Sequence, residues 1–257
     1  MPEIFGTEKM AVGYATSRPP VHPRVMEEAR RSLEWSRCVS RALDVGCGAG
    51  LSTRALTGMA KECIGIEPAE EMLKWSARVA PEAHFAAATA ESMPIRDCSM
   101  DLVTAAGSLN YANLDLFFPE AARVLKPEGV LIVYDFEPGR SLRHTRDLDE
   151  WFQAFLQKYP QPLYEGRILN PEILAQCNSG FRTRSAQWFE IEVQLTPQFY
   201  VDYMLTETNV AAAVRAGMAV DDIRAWCEET LAPIWKGRAQ EVLFRGYFAC
   251  LSQSRYC

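Results

Sequence analysis

Short apolar runs that end at glycine or acid, each followed by a stretch with apolar positions three to four residues apart, organise the first half of the chain. Val25, Met26, Ala29 and Leu33 share a helical face, and Pro23 suits a first helical turn, so a helix over 23–33 is predicted to pack on a sheet. Residues 1–22 are predicted to be irregular, because the prolines of SRPPVHP bar a continuous helix. A first strand containing Ala42, Leu43 and Val45 breaks into Gly46, Gly48 and Gly50, and a helix over 51–59 follows. Strands at 62–67, 84–88 and 101–106 alternate with helices opened by Pro68 and by Leu114. The second of these helices is predicted to end at KPEG, after which VLIVYDF reads as a buried central strand. The alternation over 41–136 predicts an α/β fold with a mostly parallel sheet and right-handed crossovers.

The C-terminal half follows a different pattern. AQWFEIEVQL at 186–195 alternates as a sixth strand, and VLFRGYFACLSQ reads as a seventh. The helical stretch between them, roughly 197–238, is too long for a simple connection and is predicted to form a cap above the site. Phe199, Tyr200 and Tyr203 lie there at a spacing that signals packing. Arg140, Arg143, His144 and Arg146 precede an aromatic helix with Trp151, Phe152 and Phe155. They form either a basic lip that favours an anionic substrate or a solvated helix entry paired with Asp147, Asp149 and Glu150. The chain thus divides into an N-terminal lid and helix (1–40), a cofactor-binding core (41–136) and a segment that completes the sheet and carries the cap (137–257).

Chemistry enters at the glycine turn. Glycine tolerates positive φ and lets a ligand approach the backbone, so the turn reads as the floor of a cofactor site at the end of the first strand. A dinucleotide fingerprint spaces its glycines G-x-G-x-x-G, whereas this chain has G-x-G-x-G preceded by Asp44. A carboxylate there opposes a pyrophosphate and favours a cationic ligand, which argues against a nicotinamide-dependent reductase. Glu67 follows by about 20 residues, the position from which a carboxylate reaches ribose hydroxyls, although it could also only cap the next helix.

Bulk properties exclude more than they assign. The 257 residues, 48% hydrophobic, suffice for one large α/β domain or a core with a modest lobe. A formal charge of −6 opposes a broad nucleic-acid-binding face. The eight cysteines contain no C-x-x-C pair and lie partly in apolar runs, which predicts reduced thiols, no metal site and a cytoplasmic protein. The N-terminus lacks a leader pattern, and no run is long enough to span a bilayer, so no membrane association is expected.

The segments LDVGCGAG, IGIEP, ATAESMP, DLVTAAGSLNY and ARVLKPEGVLIV, in that order, resemble the motif set of the class I S-adenosylmethionine-dependent methyltransferases. The likeness is to the small-molecule branch with the ubiquinone/menaquinone-type and trans-aconitate-type enzymes, and it covers roughly residues 14–136. It implies a Rossmann-like seven-stranded sheet sandwiched by helices, six strands parallel and one antiparallel, with S-adenosylmethionine over the tips of strands one, two and four. YATSRPP is similar to the family's lid, which makes Tyr14 and Arg18 candidates to close over the cofactor and meet its carboxylate. Carried over by position, Asp44, Gly46, Cys47 and Gly48 hold the methionine part, and Glu67 takes the ribose hydroxyls. Pro68 and Met72 pack near the adenine, Ala90 and Glu91 flank its edge, and Ala105 and Ala106 face the methionine moiety. The sequence departs from the family at Thr89, where many relatives have an adenine-binding Asp, and at Asn110, where many have His. The implied reaction is methyl transfer to an O, N or C nucleophile of a small-molecule acceptor, in a monomer or homodimer. A base for it is sought among His144, Tyr111 and Asp135, and less readily at His22. A protein that binds the cofactor without catalysis is the alternative.

Overall fold

A computed structural model describes residues 7–162, 166–177 and 179–254. Strand β1 (Val39–Val45) lies in the middle of the sheet, since both of its faces are apolar and buried, with Ala42 on one side and Leu43 and Val45 on the other. Strands β2 (Ala60–Ile66) and β3 (His84–Ala86) run parallel to it on one flank. Strands β4 (Met100–Ala106) and β5 (Leu125–Phe136) do so on the other. The strand order therefore reverses between β1 and β4, the place where open α/β sheets form a ligand crevice.

Strand β8 (Gln240–Gln253) pairs antiparallel with β5, and β7 (Phe181–Leu195) pairs antiparallel with β8. Six of these seven strands thus run one way and β8 the other, as the family resemblance implied. The eighth strand, the short β6 (Ser141–Leu142), pairs antiparallel with Leu243 and Val242 of β8 and runs with the six. It continues the line of β5 after a break at 137–140.

Alternate residues of β5 feed the two cores. Val130, Ile132 and Tyr134 face the layer with helices α2 (His22–Ser32) and α3 (Leu51–Leu56). Leu131 and Val133 face α5 (Leu114–Val124). Each fully buried large side chain contributes about 1.5–3 kcal/mol.

The structure differs from the sequence expectations at several points. Residues Glu8–Thr16 form a helix, α1, inside the stretch read as irregular; residues 1–6 lie outside the described residues. The Thr7 side chain accepts from the Met10 N–H at 3.3 Å and caps it, while Met10 and Ala11 bury against Ala49 and Met72. That docking, rather than amphipathic pattern, sustains the helix. KPEG does not separate helix from strand: α5 passes directly into β5 at Leu125, and KPEG is accommodated as an irregularity in the pairing with β4 between Met100 and Leu102. The sixth strand begins five residues before its predicted start, at Phe181.

Between β7 and β8 the chain forms α8 (Pro197–Met204), α9 (Thr208–Arg215) and α10 (Val220–Trp235), which with α6 (Asp147–Lys158) build an aromatic layer. Trp151 stacks on Phe155 and Trp226, and its indole N–H donates to Thr230 Oγ1 at 2.7 Å. The Trp235 indole donates to the Leu195 carbonyl at 3.1 Å, tying the end of α10 to the end of β7. Among the described residues no helix is long and apolar enough to cross a membrane.

Candidate functional site

The turn after β1 is built on three left-handed glycines, Gly46, Gly48 and Gly50, at φ of 69°, 52° and 93°. The N–H groups of Gly46 and Cys47 both donate to the Ile66 carbonyl, at 2.8 and 3.0 Å, which ties the turn to the tip of β2. A Cβ on Gly46 would lie 2.3 Å from the Ser108 Cβ, whereas one on Gly48 would meet no protein atom within 4 Å. Gly46 is thus a packing requirement, and Gly48 opens a space.

Glu67 follows β2 and lies beside that space. Its carboxylate accepts from the Gly48 N–H at 3.1 Å and the Ala69 N–H at 2.9 Å. Burial pushes its carboxyl up, and the two backbone donors pull it down. Asp44, in contrast, does not face the open space, which corrects the expectation that it meets the ligand directly. Its side chain is fully buried and accepts from Ser52 at 2.6 Å, Thr53 at 2.7 Å and Thr104 at 2.9 Å. Two of those donors begin α3, so Asp44 fixes the start of that helix and its junction with β4. Burial also pushes the Cys47 thiol up, with Asp44 and Glu67 adding to the effect, so Cys47 stays an unreactive thiol.

A cavity of about 390 Å³ extends from this turn across the tips of β4 and β5. Of the residues proposed from sequence, it is lined by Tyr14, Arg18, Gly46, Cys47, Gly48 and Glu67, and further by Met72, Ala106, Tyr111 and Asp135. Ala105 does not line it, because strand alternation turns that residue into the core. Pro68 and Thr89 are exposed on the turns after β2 and β3, outside the cavity, with the half-buried Ala90 and Glu91. Glu91 accepts from the Asn113 N–H at 2.8 Å and so pins that turn to the start of α5.

His144 is not part of the site. After β5 the chain continues along β8 as β6, past the cavity, and Arg143, His144 and Arg146 line a separate surface hollow. Two of the cluster's arginines are paired, with partners other than those expected: Arg140 with Glu137, and Arg143 with Glu190 and Glu192.

The far end of the cavity is formed by residues that local pattern does not unite. Arg18 lies 4.0 Å from the Tyr14 ring centroid and 5.1 Å from that of Tyr203 on α8. Its guanidinium pairs with Glu207 at 3.1 Å and donates to the Thr206 carbonyl at 3.1 Å. Burial disfavours the charge, but Tyr14 and Glu207 outweigh it and hold the Arg18 pKa above its ordinary value. Tyr203, read from sequence as packing, is both packed and part of this wall.

Asp135, on β5, accepts from Asn110 Nδ2 at 2.8 Å and from the Phe136 N–H at 2.8 Å. Burial pushes its carboxyl up; Asn110 and the Phe136 N–H oppose that, and Glu137 adds to it. The Asn110 departure from the family thus has a structural role as the partner of Asp135. Gly107, at φ 66°, brings the backbone close, since a Cβ there would lie 3.0 Å from Asp135 Oδ1.

His22 completes the wall, with Nδ1 2.9 Å from the Tyr134 hydroxyl and its ring edge-on to Phe136. Burial, then Arg18 and Arg54, pushes its pKa down from 6.5 to about 4. The folded protein keeps this ring neutral where the unfolded chain protonates it, so the stability it contributes falls as pH drops from 6.5 towards 4. The stability advantage of the wild type over His22→Gln is expected to shrink by about 1–2 kcal/mol between pH 7 and pH 5. Paired thermal melts measure it, and an unchanged gap means that His22 titrates normally.

Comparison with known proteins gives the site its context. Residues 43–133 match the family model described as a methyltransferase domain. A Dictyostelium discoideum protein named as a methyltransferase is 30% identical over 202 residues, covering 76% of this chain and 73% of its own. The ubiquinone biosynthesis O-methyltransferase of Agrobacterium fabrum is 22% identical over 211 residues, 75% of this chain and 82% of that one. A solved structure from Anaeromyxobacter dehalogenans, described as a Type II methyltransferase, shares the fold with a TM-score of 0.66 at 21% identity, covering 89% of this chain and 95% of that one. With such a relative matched along most of both lengths, and with the glycine turn, Glu67 and the sheet reversal brought together at one cavity, the chain belongs to the class I S-adenosylmethionine-dependent methyltransferases.

Proposed function

We propose that this enzyme transfers the methyl group of S-adenosylmethionine to an O, N or C nucleophile of a small molecule, within the cytoplasm and without a metal. The observation that carries the reading is a single cavity that joins Gly48 and Glu67 at one end to Tyr14, His22, Asn110, Tyr111, Asp135 and Tyr203 at the other. The cofactor fits the first end on chemical grounds. A missing Cβ at Gly48 leaves room beside a carboxylate suited to a pair of hydroxyls, and the adjoining floor residues Gly46–Ala49 carry no cation for a phosphate.

In this reading Glu67 takes the ribose hydroxyls, and Met72 and Pro68 pack near the adenine, with Thr89, Ala90 and Glu91 on the turn beyond. Backbone at Gly46, Cys47 and Gly48, with Ala106, borders the methionine part, while Tyr14 and Arg18 close over it. Ala105 and Asp44 act from behind, through the strand tip and the start of α3. When bound, the cofactor supplies an electrophilic methyl, so the protein's work is alignment and exclusion of water. Tyr14, Phe136 and Tyr203 exclude water, Asp135 accepts the acceptor's proton, and Tyr111 borders the acceptor. Residues 1–40 serve as lid and first helix, 41–136 as cofactor core, and 137–257 as sheet completion and cap.

Titration calorimetry with S-adenosylmethionine and S-adenosylhomocysteine, followed by a methyl-donor assay over phenols, amines and carboxylates, tests the reading. Glu67→Gln is expected to weaken cofactor binding roughly 10–150-fold, the loss of a charged hydrogen bond worth about 1.5–3 kcal/mol. An unchanged Kd would remove Glu67 from the ribose site.

A further inference from the structure

The charge at the acceptor end of the cavity is one-sided. Arg18 is the one Lys or Arg side chain among the described lining residues, and its charge is already paired: Nη1 stands 3.1 Å from Glu207, Nη2 donates to the Thr206 carbonyl, and the guanidinium lies between the rings of Tyr14 and Tyr203, with only the buried Nε lacking a hydrogen-bond partner. The arginines at 140–146 that could have received an anion stand outside this cavity, and Arg140 and Arg143 are paired with glutamates. His22 adds no positive charge at neutral pH.

Against these stands Asp135. No Lys, Arg or His side chain forms an ion pair with it among the described residues, and it accepts from the Asn110 amide and the Phe136 N–H. A carboxylate offers about four lone-pair directions, so acceptor capacity remains. The cavity it lines is also lined by the aromatic rings of Tyr14, Tyr111, Phe136 and Tyr203, of which Tyr14 and Tyr203 lie against Arg18. A carboxylate in a cavity lined by aromatic rings attracts an N–H-bearing cation and repels a carboxylate or phosphate.

We propose that the methyl acceptor is a primary or secondary amine, recognised as its ammonium form by Asp135 and the surrounding aromatic rings. The inference rests on the methyltransferase reading above and narrows its substrate class. The ammonium gives one proton to the Asp135 carboxylate, leaving a neutral amine and a carboxylic acid. The nitrogen lone pair then forms the new N–CH3 bond, the C–S bond breaks, and its electron pair stays on sulfur, giving S-adenosylhomocysteine and a methylated ammonium. Burial, which pushes the Asp135 carboxyl up, suits it to take that proton.

The test uses protein saturated with S-adenosylhomocysteine and three probes of similar shape: 2-phenylethylamine, 4-ethylphenol and 3-phenylpropionate. Calorimetry is expected to show the amine binding roughly tenfold or more tighter than either oxygen probe, and Asp135→Asn to erase that preference without changing S-adenosylhomocysteine affinity. The assignment is overturned if the phenol or the carboxylate matches the amine, if the amine shows no binding at millimolar concentration, or if its preference survives in Asp135→Asn. Failure of S-adenosylhomocysteine itself to bind would instead bring down the methyltransferase reading, and the amine assignment with it.

Discussion

Gly46→Ala is expected to destabilise the protein by about 2–5 kcal/mol and to abolish measurable S-adenosylmethionine binding. Two costs combine at this position. The backbone is left-handed at φ 69°, which penalises any side chain, and the new Cβ would sit 2.3 Å from the Ser108 Cβ. Ser108 cannot readily withdraw, because its hydroxyl donates to the Val45 carbonyl at 2.6 Å. Ser108 also opens the 3-10 turn Ser108–Tyr111, which carries Asn110 and hence the partner of Asp135. Displacing it disturbs both ends of the cavity. Gly48→Ala separates these costs: its φ is 52° but its Cβ meets nothing within 4 Å, so only the backbone penalty of about 1–2 kcal/mol remains. That variant should fold and bind the cofactor weakly. Chemical denaturation and calorimetry on the pair measure both effects, and equal stability losses would refute the packing argument.

Arg18→Met is expected to cost about 3–5 kcal/mol at pH 7, with Arg18→Met/Glu207→Gln recovering a substantial part. The two side chains are only 18% and 9% exposed and stand 3.1 Å apart, so removing one leaves a charge with little water to solvate it. Burial already pushes the Glu207 carboxyl up, against the pull of Arg18. Without the arginine it is pushed further, and a group with a raised folded pKa destabilises most above that pKa. The loss in Arg18→Met should therefore diminish as pH falls towards 5, and the double variant should lack this dependence. A cost below about 1 kcal/mol at pH 7 would mean that the pair is effectively solvated. Since Arg18 lies on the N-terminal segment and Glu207 at the start of α9, the comparison also measures how firmly α9 is joined to that segment.

Much of the cavity's end at the glycine turn was legible in the sequence because its determinants are local. Gly46, Gly48 and Gly50 can take the positive φ this turn requires at no steric cost, and the apolar run before them is a strand with two buried faces. Glu67 falls beside the glycine turn because parallel pairing of β1 with β2 sets Val45 opposite Ile66. The other end of the cavity was legible only in part. Asp135 could be placed at the end of its strand, and it lines the cavity. His144 looked equally available nine residues later, but periodicity carries no information about where the chain turns once a strand ends.

What the sequence by itself determined is the order of strands and helices over residues 23–136, the glycine turn and the acid beside it, each set by side-chain period or by φ, whereas helix α1 was not legible there. What only the tertiary structure decided is which groups share water-excluded space. Arg18 meets Thr206 across 188 residues of chain, and the ring of Tyr203, in a segment whose pattern signals only packing, becomes a wall of the site. The same holds for Asp44, whose sequence position suggests a ligand contact but whose carboxylate turns inward to three hydroxyls. The reason is physical: burial and charge pairing depend on distances between segments, and a one-dimensional pattern of apolar and polar residues specifies faces without specifying what each face meets.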